Sequence, residues 1–206
     1  MKTPVIPLIQ SDDPAIAVRT AEALRAGGLT TLEVVWRTDA AMDCLEVIAK
    51  TVEGVTVGAG TVLSRAQAEI ALKRGAQFIV SPGLDEGVVD LCLSGSIDIF
   101  AGVSTATEVQ RAWNLGLRTV KFFPASLAGG APKLKALSSV FRDMRFMPTG
   151  GVSAGNLAEF LAIPSVIACG GSWLTPKAEI EAGNFEALTT LAKDALAIAQ
   201  TAKTHS

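Results

Sequence analysis

The chain has 206 residues, of which 49% are hydrophobic, so it is long enough to bury a complete core as one domain. Its formal net charge of -2 gives no electrostatic reason to expect nucleic acid or an anionic membrane as a partner. No apolar stretch of the sequence approaches the roughly 20 residues that a membrane-spanning helix needs.

The cysteines and the single histidine bear on redox compartment and on metal chemistry. Cys44, Cys92 and Cys169 are scattered through apolar surroundings, which favours reduced, packed thiols in a cytoplasmic protein over disulfides or a zinc cluster. His205 is the only histidine. Metal sites for hydrolysis or aldol chemistry usually draw on several histidine ligands, so we expect neither a metal nor another cofactor.

Short apolar or β-branched runs recur along the whole chain and predict eight strands. Their starts lie about 20–26 residues apart, which leaves room for one helix and two short loops in each interval. The predicted strands are Val5–Ile9, Thr31–Trp36, Val55–Val62, Phe78–Pro82, Ile99–Val103, Thr119–Phe123, Arg145–Thr149 and Val166–Gly170.

The segments between these runs carry helix signals. Asp13 and Pro14 open the first helix and Gly27 can close it, because helices favour proline at the start and glycine at the end. Two pairs fit the capping-box pattern, Ser64 with Gln67 and Thr105 with Glu108. The other predicted helix starts are Asp39, Ser153 and Asn184, the last opening a C-terminal helix over about 184–203.

Alternating strands and helices without a linker predict an α/β fold, a single-domain (β/α)8 TIM barrel over residues 1–206. A doubly wound open sheet is the alternative. Such a sheet would normally carry a glycine-rich dinucleotide loop after its first strand. Here that loop reads Gln-Ser-Asp-Asp at positions 10–13 and has no glycine, which favours the barrel.

Lys121 is the most informative residue for function, because it interrupts an apolar strand. Burying an unpaired ammonium costs several kcal/mol. Strand alternation places Lys121 on the same face as Thr119 and Phe123. A lysine that burial keeps neutral is a nucleophile for carbonyls. The alternatives without a catalytic role are a lysine that reaches water at a sheet edge and a lysine that pairs with a nearby carboxylate.

The second predicted strand supplies two more ionisable side chains. Alternation places Glu33, Val35 and Arg37 on one face, opposite the apolar residues Leu32 and Val34, so Glu33 and Arg37 should point into the barrel. They could form a structural salt bridge with each other. Arginine also suits the bidentate capture of a substrate carboxylate.

Glycines mark the ends of several predicted strands, where barrels carry their active sites. In Gly-Ala-Gly-Thr (58–61) the glycines would let a ligand approach the backbone, and Thr61 offers a hydroxyl. Pro-Thr-Gly-Gly (148–151) and Gly-Gly-Ser (170–172) end the last two strands, where backbone N–H groups and a helix N-terminus commonly bind phosphate. Together with Lys121 and Glu33, these features predict Schiff-base chemistry on a 2-oxo acid that bears a distal phosphate.

Six short motifs occur in a fixed order between about Pro4 and Lys203. They are Glu-Val-x-x-Arg-Thr (33–38), Gly-Ala-Gly-Thr-Val-Leu (58–63), Ser-Pro-Gly (81–83), Lys-Phe-Phe-Pro-Ala (121–125), Pro-Thr-Gly-Gly (148–151) and Gly-Gly-Ser-Trp-Leu (170–174). This ordered set resembles the class I 2-keto-3-deoxy-6-phosphogluconate (KDPG) aldolases, some of which also act on 4-hydroxy-2-oxoglutarate. The resemblance implies a trimeric barrel that reversibly cleaves 2-dehydro-3-deoxy-6-phosphogluconate to pyruvate and glyceraldehyde 3-phosphate.

The same resemblance implies a role for each matching residue. Lys121 matches the Schiff-base lysine, and Glu33 matches the general acid/base that works through a water. The remaining positions match substrate-binding groups: Arg37, Thr61 and Pro82 around the pyruvate carboxylate, Thr149 at a substrate hydroxyl, and Gly150, Gly151, Gly171 and Ser172 at the phosphate.

Three positions depart from the family pattern. Ala101 stands where proline is usual, Ser126 stands where the lysine motif often continues with glutamate, and Trp36 replaces a smaller aliphatic residue. Ser126 lies near the predicted mouth, which leaves the substrate preference open between the gluconate form, its galactonate epimer and 4-hydroxy-2-oxoglutarate. The sequence is also compatible with a phosphate-binding barrel isomerase or a non-catalytic sensor of phosphorylated ligands, although neither of these needs an inward lysine.

Overall fold

The structure is a computed structural model that describes residues 3–204, so His205 lies outside the described residues. Strands and helices alternate along this range. The strands are β1 Val5–Ile9, β2 Thr31–Val35, β3 Thr56–Gly60, β4 Phe78–Val80, β5 Asp98–Val103, β6 Thr119–Phe122, β7 Arg145–Pro148 and β8 Cys169–Gly171. The helices are α1 Pro14–Ala26, α2 Ala41–Thr51, α3 Arg65–Lys73, α4 Glu86–Ser94, α5 Ala106–Asn114, α6 Gly130–Val140, α7 Leu157–Leu161, α8 Lys177–Glu181 and α9 Phe185–Thr204.

The eight strands form one parallel sheet in the order β7-β6-β5-β4-β3-β2-β1-β8. Parallel pairing joins all neighbours in that order. The remaining gap, between β7 and β8, is closed by single bridges that pair Phe146 with Val166 and Thr149 with Gly170. The sheet is therefore a barrel with one weakly paired seam, and the predicted (β/α)8 fold is confirmed. In the described residues, no helix is both long and apolar enough to cross a membrane.

Two apolar clusters stabilise the barrel. The larger one lies between the strands and the surrounding helices and includes Val120 and Phe122 of β6. The smaller cluster fills the barrel interior and consists of Ile6, Phe78, Val80, Phe100, Met147 and Ala168. Parallel strands buried on both faces in this way explain the near-continuous apolar runs of the sequence. All three cysteines are buried and unpaired, as the sequence predicts.

The helix signals at Asp13 and Thr105 are confirmed. The Asp13 carboxylate accepts a hydrogen bond from the backbone N–H of Ala15 at 2.7 Å, Pro14 occupies the first turn, and Gly27 is the C-cap of α1. Thr105 and Glu108 form a complete capping box. The C-terminal helix begins directly after Asn184, also as predicted.

The other cap predictions need correction. Ser64 caps α3, but the Gln67 amide oxygen accepts from the N–H of Leu63 rather than from that of Ser64, so the box is incomplete. Asp39 is not an N-cap, because a turn before α2 moves the cap to Ala40, which makes no side-chain bond.

The predicted cap at Ser153 is wrong as well, and the last strand is displaced. The Asn156 side chain accepts a hydrogen bond from the Ser153 N–H, and this turn delays the start of α7 to Leu157. The last strand starts at Cys169, three residues after the predicted start at Val166. The short helix α8 was not expected from the sequence. These turns matter because they lie at the barrel end where the predicted site residues are found.

Candidate active site

Lys121 lies inside the barrel, as the alternation of β6 predicts. Its side chain is only 4% exposed, and its Nζ lies 4.8 Å from the centroid of the Phe123 ring. Burial lowers the pKa of the Lys121 ammonium, the negative charge of Glu33 opposes this shift, and the positive charge of Arg37 reinforces it. The folded chain thus favours the neutral amine more strongly than water would.

Glu33 of β2 is fully buried, and neither of its carboxylate oxygens has a hydrogen-bond partner within the described residues. Burial raises the pKa of Glu33, while Lys121 and then Arg37 lower it to a smaller extent. The alternative of a structural salt bridge between Glu33 and Arg37 is therefore wrong. A buried carboxyl without a partner is costly for folding, and such groups are concentrated at functional sites.

A cavity of about 160 Å³ opens at the carboxyl ends of the strands. It brings together seven of the predicted site residues: Arg37, Lys121, Thr149, Gly150, Gly151, Gly171 and Ser172. Residues that the site prediction missed complete its lining: Leu8, Phe123, Val152 and Gly170. The position of Phe123, two residues after Lys121 on the same face, is the sequence signal that could have identified it.

Glu33, Thr61 and Pro82 do not line this cavity. Thr61 and Pro82 directly follow β3 and β4 at the same end of the barrel, and both are half-buried. Thr61 has a φ of 61°, an uncommon conformation for a residue with a branched side chain. Strained backbone of this kind persists only where the surrounding structure holds it, and it clusters at functional sites.

The glycines of β3 serve a different purpose from the predicted one. A Cβ on Gly60 would lie 2.0 Å from Oε1 of Glu33, and a Cβ on Gly58 would lie 2.3 Å from the Phe78 ring. The space that these glycines leave is filled by the protein's own side chains. The prediction that they let a ligand approach the backbone is therefore wrong, and Gly60 instead makes room for the Glu33 carboxyl.

Thr149 depends on a glycine in the same way. Its Oγ1 is buried without a hydrogen-bond partner in the part of the chain that the structure describes. A Cβ on Gly170 would lie 2.5 Å from this oxygen. Gly170 therefore gives the Thr149 hydroxyl its place in the cavity wall. An unsatisfied hydroxyl at that point is suited to hydrogen bonding with a polar ligand.

The loop after β7 presents backbone N–H groups next to the cavity. Gly150 and Gly151 both have positive φ, at 92° and 78°. The carbonyls of Thr149, Gly150 and Gly151 all accept hydrogen bonds from the neighbouring loops. In a trans peptide the N–H points away from the C=O, so the following N–H groups, those of 150–152, face the opposite side. Within residues 3–204, the amides of Gly151 and Val152 donate to no acceptor, whereas that of Gly150 lies at the bridge between Thr149 and Gly170.

The N–H groups of Gly151 and Val152 are consecutive donors in a loop that lines the same cavity as Lys121, and consecutive backbone N–H groups of this kind commonly bind anions. A helix N-terminus was also expected here. It is not present, because the helices after β7 and β8 are five residues long and begin at Leu157 and Lys177. We call the loop 149–152 the anion cradle, after the ligand that the sequence predicts for it. In the described part of the chain, no group of three or more His, Cys, Asp or Glu side chains is arranged to hold a metal ion.

A second, larger cavity of about 420 Å³ lies beside the site. The two cavities share Leu8, Arg37 and Ser172. The larger one extends to the loop after β1 and to α8.

The three positions that depart from the family pattern lie in different surroundings. Ala101 is fully buried between the sheet and the helices, and Trp36 packs against the same cluster. Ser126 is different, because its hydroxyl donates a hydrogen bond to the carbonyl of Gly151 in the anion cradle.

A reactive side chain at the carboxyl ends of barrel strands is typical of enzymes of this fold. The model of the KDPG and KHG aldolase family matches residues 1–191. The 2-dehydro-3-deoxy-phosphogluconate aldolase of Treponema pallidum is 44% identical over 94% of this chain and 92% of its own length. The KHG/KDPG aldolase of Escherichia coli is 43% identical over 94% of this chain and 91% of its own length. The chain therefore belongs to the KDPG and KHG aldolase family.

Solved structures agree with this assignment. The KDPG aldolase of Legionella pneumophila, captured with pyruvate as a covalent carbinolamine, has a TM-score of 0.92 at 37% identity over 95% of both chains. The KDPG aldolase of Zymomonas mobilis, solved with 3-phosphoglycerate, has a TM-score of 0.89 at 40% identity over 96% of this chain and 92% of the other. The predictions of the family, of the barrel and of a class I aldolase are confirmed.

Proposed function

We propose that this aldolase reversibly cleaves 2-dehydro-3-deoxy-6-phosphogluconate to pyruvate and glyceraldehyde 3-phosphate through an imine on Lys121. The observation that carries the proposal is the position of Lys121 inside the barrel, where burial lowers its pKa and an anion cradle shares its cavity. Two of the relatives are named for this substrate or its abbreviation, which supports the choice. No metal or other cofactor takes part in the proposed reaction.

The reaction begins with neutral Lys121, whose Nζ lone pair attacks the C2 carbonyl carbon of the substrate. The product of this step is a carbinolamine. Because burial raises the pKa of Glu33, the carboxyl holds a proton in the range where an exposed glutamate has lost it. Glu33 gives this proton, through water, to the departing hydroxyl, and loss of water leaves the protonated imine.

Carbon–carbon cleavage follows from the imine. Glu33 accepts the proton of the C4 hydroxyl, the C3–C4 bond breaks, and its electron pair moves into the imine to give an enamine. Glyceraldehyde 3-phosphate leaves as the aldehyde product. The enamine is then protonated at C3, and water hydrolyses the imine to release pyruvate and free Lys121.

The two ends of the substrate bind to different parts of the site. Arg37, with Thr61 and Pro82, binds the carboxylate of the pyruvate half. Thr149 donates or accepts a hydrogen bond at a substrate hydroxyl. The phosphate is held by Gly150, Gly151, Gly171 and Ser172. For the phosphate end, the supporting observation is that the N–H groups of Gly151 and Val152 have no acceptor among residues 3–204 and that both residues line the cavity.

The test is reduction with borohydride in the presence of saturating pyruvate, followed by intact-mass analysis and peptide mapping. We expect one reduced pyruvate adduct per chain, located at Lys121. Lys121→Met should abolish the adduct, whereas Lys135→Met should retain it, since Lys135 is an exposed residue on α6. No adduct on the wild-type chain would falsify the proposal, and an isomerase or a ligand sensor would also give none.

Substrate choice needs a separate measurement. We expect the highest kcat/KM with the phosphorylated gluconate derivative, compared with its galactonate epimer and with 4-hydroxy-2-oxoglutarate. The epimers differ at one hydroxyl, and Thr149 is the residue proposed to contact it. A higher kcat/KM for either competitor would reassign the substrate while leaving the imine chemistry intact.

We also propose that the enzyme works as a homotrimer in the cytoplasm. The proposal of a trimer rests on the family resemblance. Exposed apolar side chains such as Leu63, Leu127 and Val140 could be buried in contacts between subunits. The three unpaired thiols support a reducing compartment. Light scattering after gel filtration should give three times the 21.3 kDa chain mass, and a mass of one chain would contradict the trimer.

A further inference from the structure

The loop between β6 and α6 holds the anion cradle in place. The N–H of Ala125 donates to the carbonyl of Thr149 at 2.8 Å, and the N–H of Ser126 donates to the carbonyl of Gly150 at 3.0 Å. The Ser126 hydroxyl then donates to the carbonyl of Gly151 at 2.8 Å. Three consecutive carbonyls of the cradle are thus turned toward the loop that follows Lys121.

The last of these three contacts is the only one of them made by a side chain. A second side chain also reaches the same carbonyl, because Nδ2 of Asn156 donates to Gly151 at 2.9 Å. Ser126 and Asn156 therefore fix the orientation of the peptide between Gly151 and Val152 from two sides. This peptide matters because its N–H is one of the cradle donors.

The peptide between Gly151 and Val152 needs hydrogen bonds to keep its orientation, because glycine restricts the backbone dihedrals very little. Glycine populates positive and negative φ about equally, so the chain around Gly151 has no intrinsic preference for the observed φ of 78°. If this peptide turned over, the Val152 N–H would leave the cavity and a carbonyl oxygen would face the anion instead. The tight fit of the loop is visible at Gly151, where an added Cβ would lie 2.4 Å from Oγ of Ser126.

We propose that Ser126 is a positioning residue that orients the anion cradle relative to Lys121 and so contributes to the preference for a phosphorylated substrate. Ser126 lies five residues after the nucleophile, in the loop that follows β6. Its hydroxyl therefore ties the imine end of the site to the phosphate end. This inference rests on the proposed function, in which the cradle binds the substrate phosphate.

The test compares Ser126→Ala with the wild-type chain. We expect KM for 2-dehydro-3-deoxy-6-phosphogluconate to rise about threefold to tenfold, the range produced by losing one net hydrogen bond. The kinetics with 4-hydroxy-2-oxoglutarate, which has no phosphate, should stay unchanged, as should the rate of pyruvate trapping at Lys121. Ser126→Thr keeps the hydroxyl and should restore most of the lost affinity.

Ser139→Ala is the matched control, because Ser139 is also exposed and its hydroxyl also donates to a backbone carbonyl, that of Ala136, within α6. This control should leave both substrates unaffected. Equal KM values for wild type and Ser126→Ala with the phosphorylated substrate would overturn the inference. A rise shared equally by both substrates, or no recovery in Ser126→Thr, would also count against it.

Inorganic phosphate separates this inference from the proposed function. Its dissociation constant can be measured by calorimetry on the free enzyme, without any substrate or imine. We expect the dissociation constant for phosphate to be roughly threefold to tenfold higher in Ser126→Ala than in the wild type. A missing pyruvate adduct would defeat the proposed function alone, whereas equal phosphate binding by the two proteins would defeat the role of Ser126 alone.

Discussion

Gly60→Ala should disable the enzyme by moving one carboxyl group. Gly60 ends β3, and a Cβ built on it would lie 2.0 Å from Oε1 of Glu33. The backbone of Gly60 has no positive φ, so alanine itself is tolerated there. The whole effect of the substitution should therefore pass through the position of Glu33.

The size of the effect follows from this distance. Ordinary contact between a Cβ and a neighbouring atom begins at 3.4 Å, so the Glu33 carboxyl must move by about 1.4 Å. A misplacement of about 1 Å in a catalytic group costs on the order of 100-fold in rate. We therefore expect kcat to fall by roughly 100-fold or more. Overpacking at a buried site also costs about 1–3 kcal/mol of stability.

The assay is steady-state cleavage of 2-dehydro-3-deoxy-6-phosphogluconate, with the melting temperature measured in parallel. Stability losses of this size lower Tm by roughly 2–12 °C in a chain of this length, so the variant stays folded at assay temperature. Gly155→Ala is the control, since no atom lies closer than 3.8 Å to a Cβ at that position. It should leave both kcat and Tm unchanged.

A double-mutant cycle makes the reasoning refutable. If Gly60→Ala acts only by displacing the Glu33 carboxyl, it should cost nothing further in kcat once Glu33→Gln has removed that carboxyl. Additive losses in the double variant would show that Gly60 acts by another route. Near wild-type kcat for Gly60→Ala alone would show that the carboxyl need not occupy its observed position.

Three further predictions concern the charges of the site. Glu33→Gln should lower kcat by about 10²–10⁴-fold and still allow pyruvate to be trapped at Lys121. Wild-type turnover in this variant would show that Glu33 is not the general acid/base. The rate of pyruvate trapping should rise with pH as Lys121 loses its proton. Glu33→Gln should move this rise to lower pH, because the negative charge of Glu33 raises the pKa of Lys121 and the variant lacks that charge. A move to higher pH would contradict the assignment. Arg37→Met should raise the pyruvate concentration needed for half-maximal trapping by about 10–100-fold, which is the effect of losing a hydrogen bond to a charged group. An unchanged concentration would mean that the pyruvate carboxylate does not bind Arg37.

The fold and the burial of Lys121 and Glu33 were predictable because they depend on local patterns. Strand alternation alone places Lys121 and Glu33 inside the barrel, and both are buried there. The eight-fold recurrence of apolar runs predicts the barrel, since each parallel strand is covered on both faces. Such signals involve residues that are close in sequence, and the sequence displays them directly.

The purpose of the glycines was not predictable, because it depends on residues far apart in the chain. Gly60 makes room for Glu33 across a strand pair, and Gly170 makes room for Thr149 across the seam of the barrel. A sequence shows that a side chain is missing at such a position. It does not show whether the space is taken by a ligand or by another side chain.

The cap predictions failed for a related reason. Ser153 and Asp39 are both residues that favour the N-cap position, yet each lies in a turn just before the helix. At Ser153 the competing partner is Asn156, whose side chain accepts the backbone N–H that a helix start would leave free. Two good capping residues close together make the boundary ambiguous.

The reactivity of Lys121 also depends on residues that do not touch the substrate. Burial is the largest influence on the pKa values of both Lys121 and Glu33, and it acts on them in opposite directions. Each of these two shifts favours the uncharged form of its own group. Lys121 pairs in register with Met147, which belongs to the apolar cluster inside the barrel. If water entered this cluster, both pKa values would return toward those of exposed groups, and a smaller fraction of Lys121 would be the neutral amine. The interior packing is therefore part of the chemistry as well as of the fold.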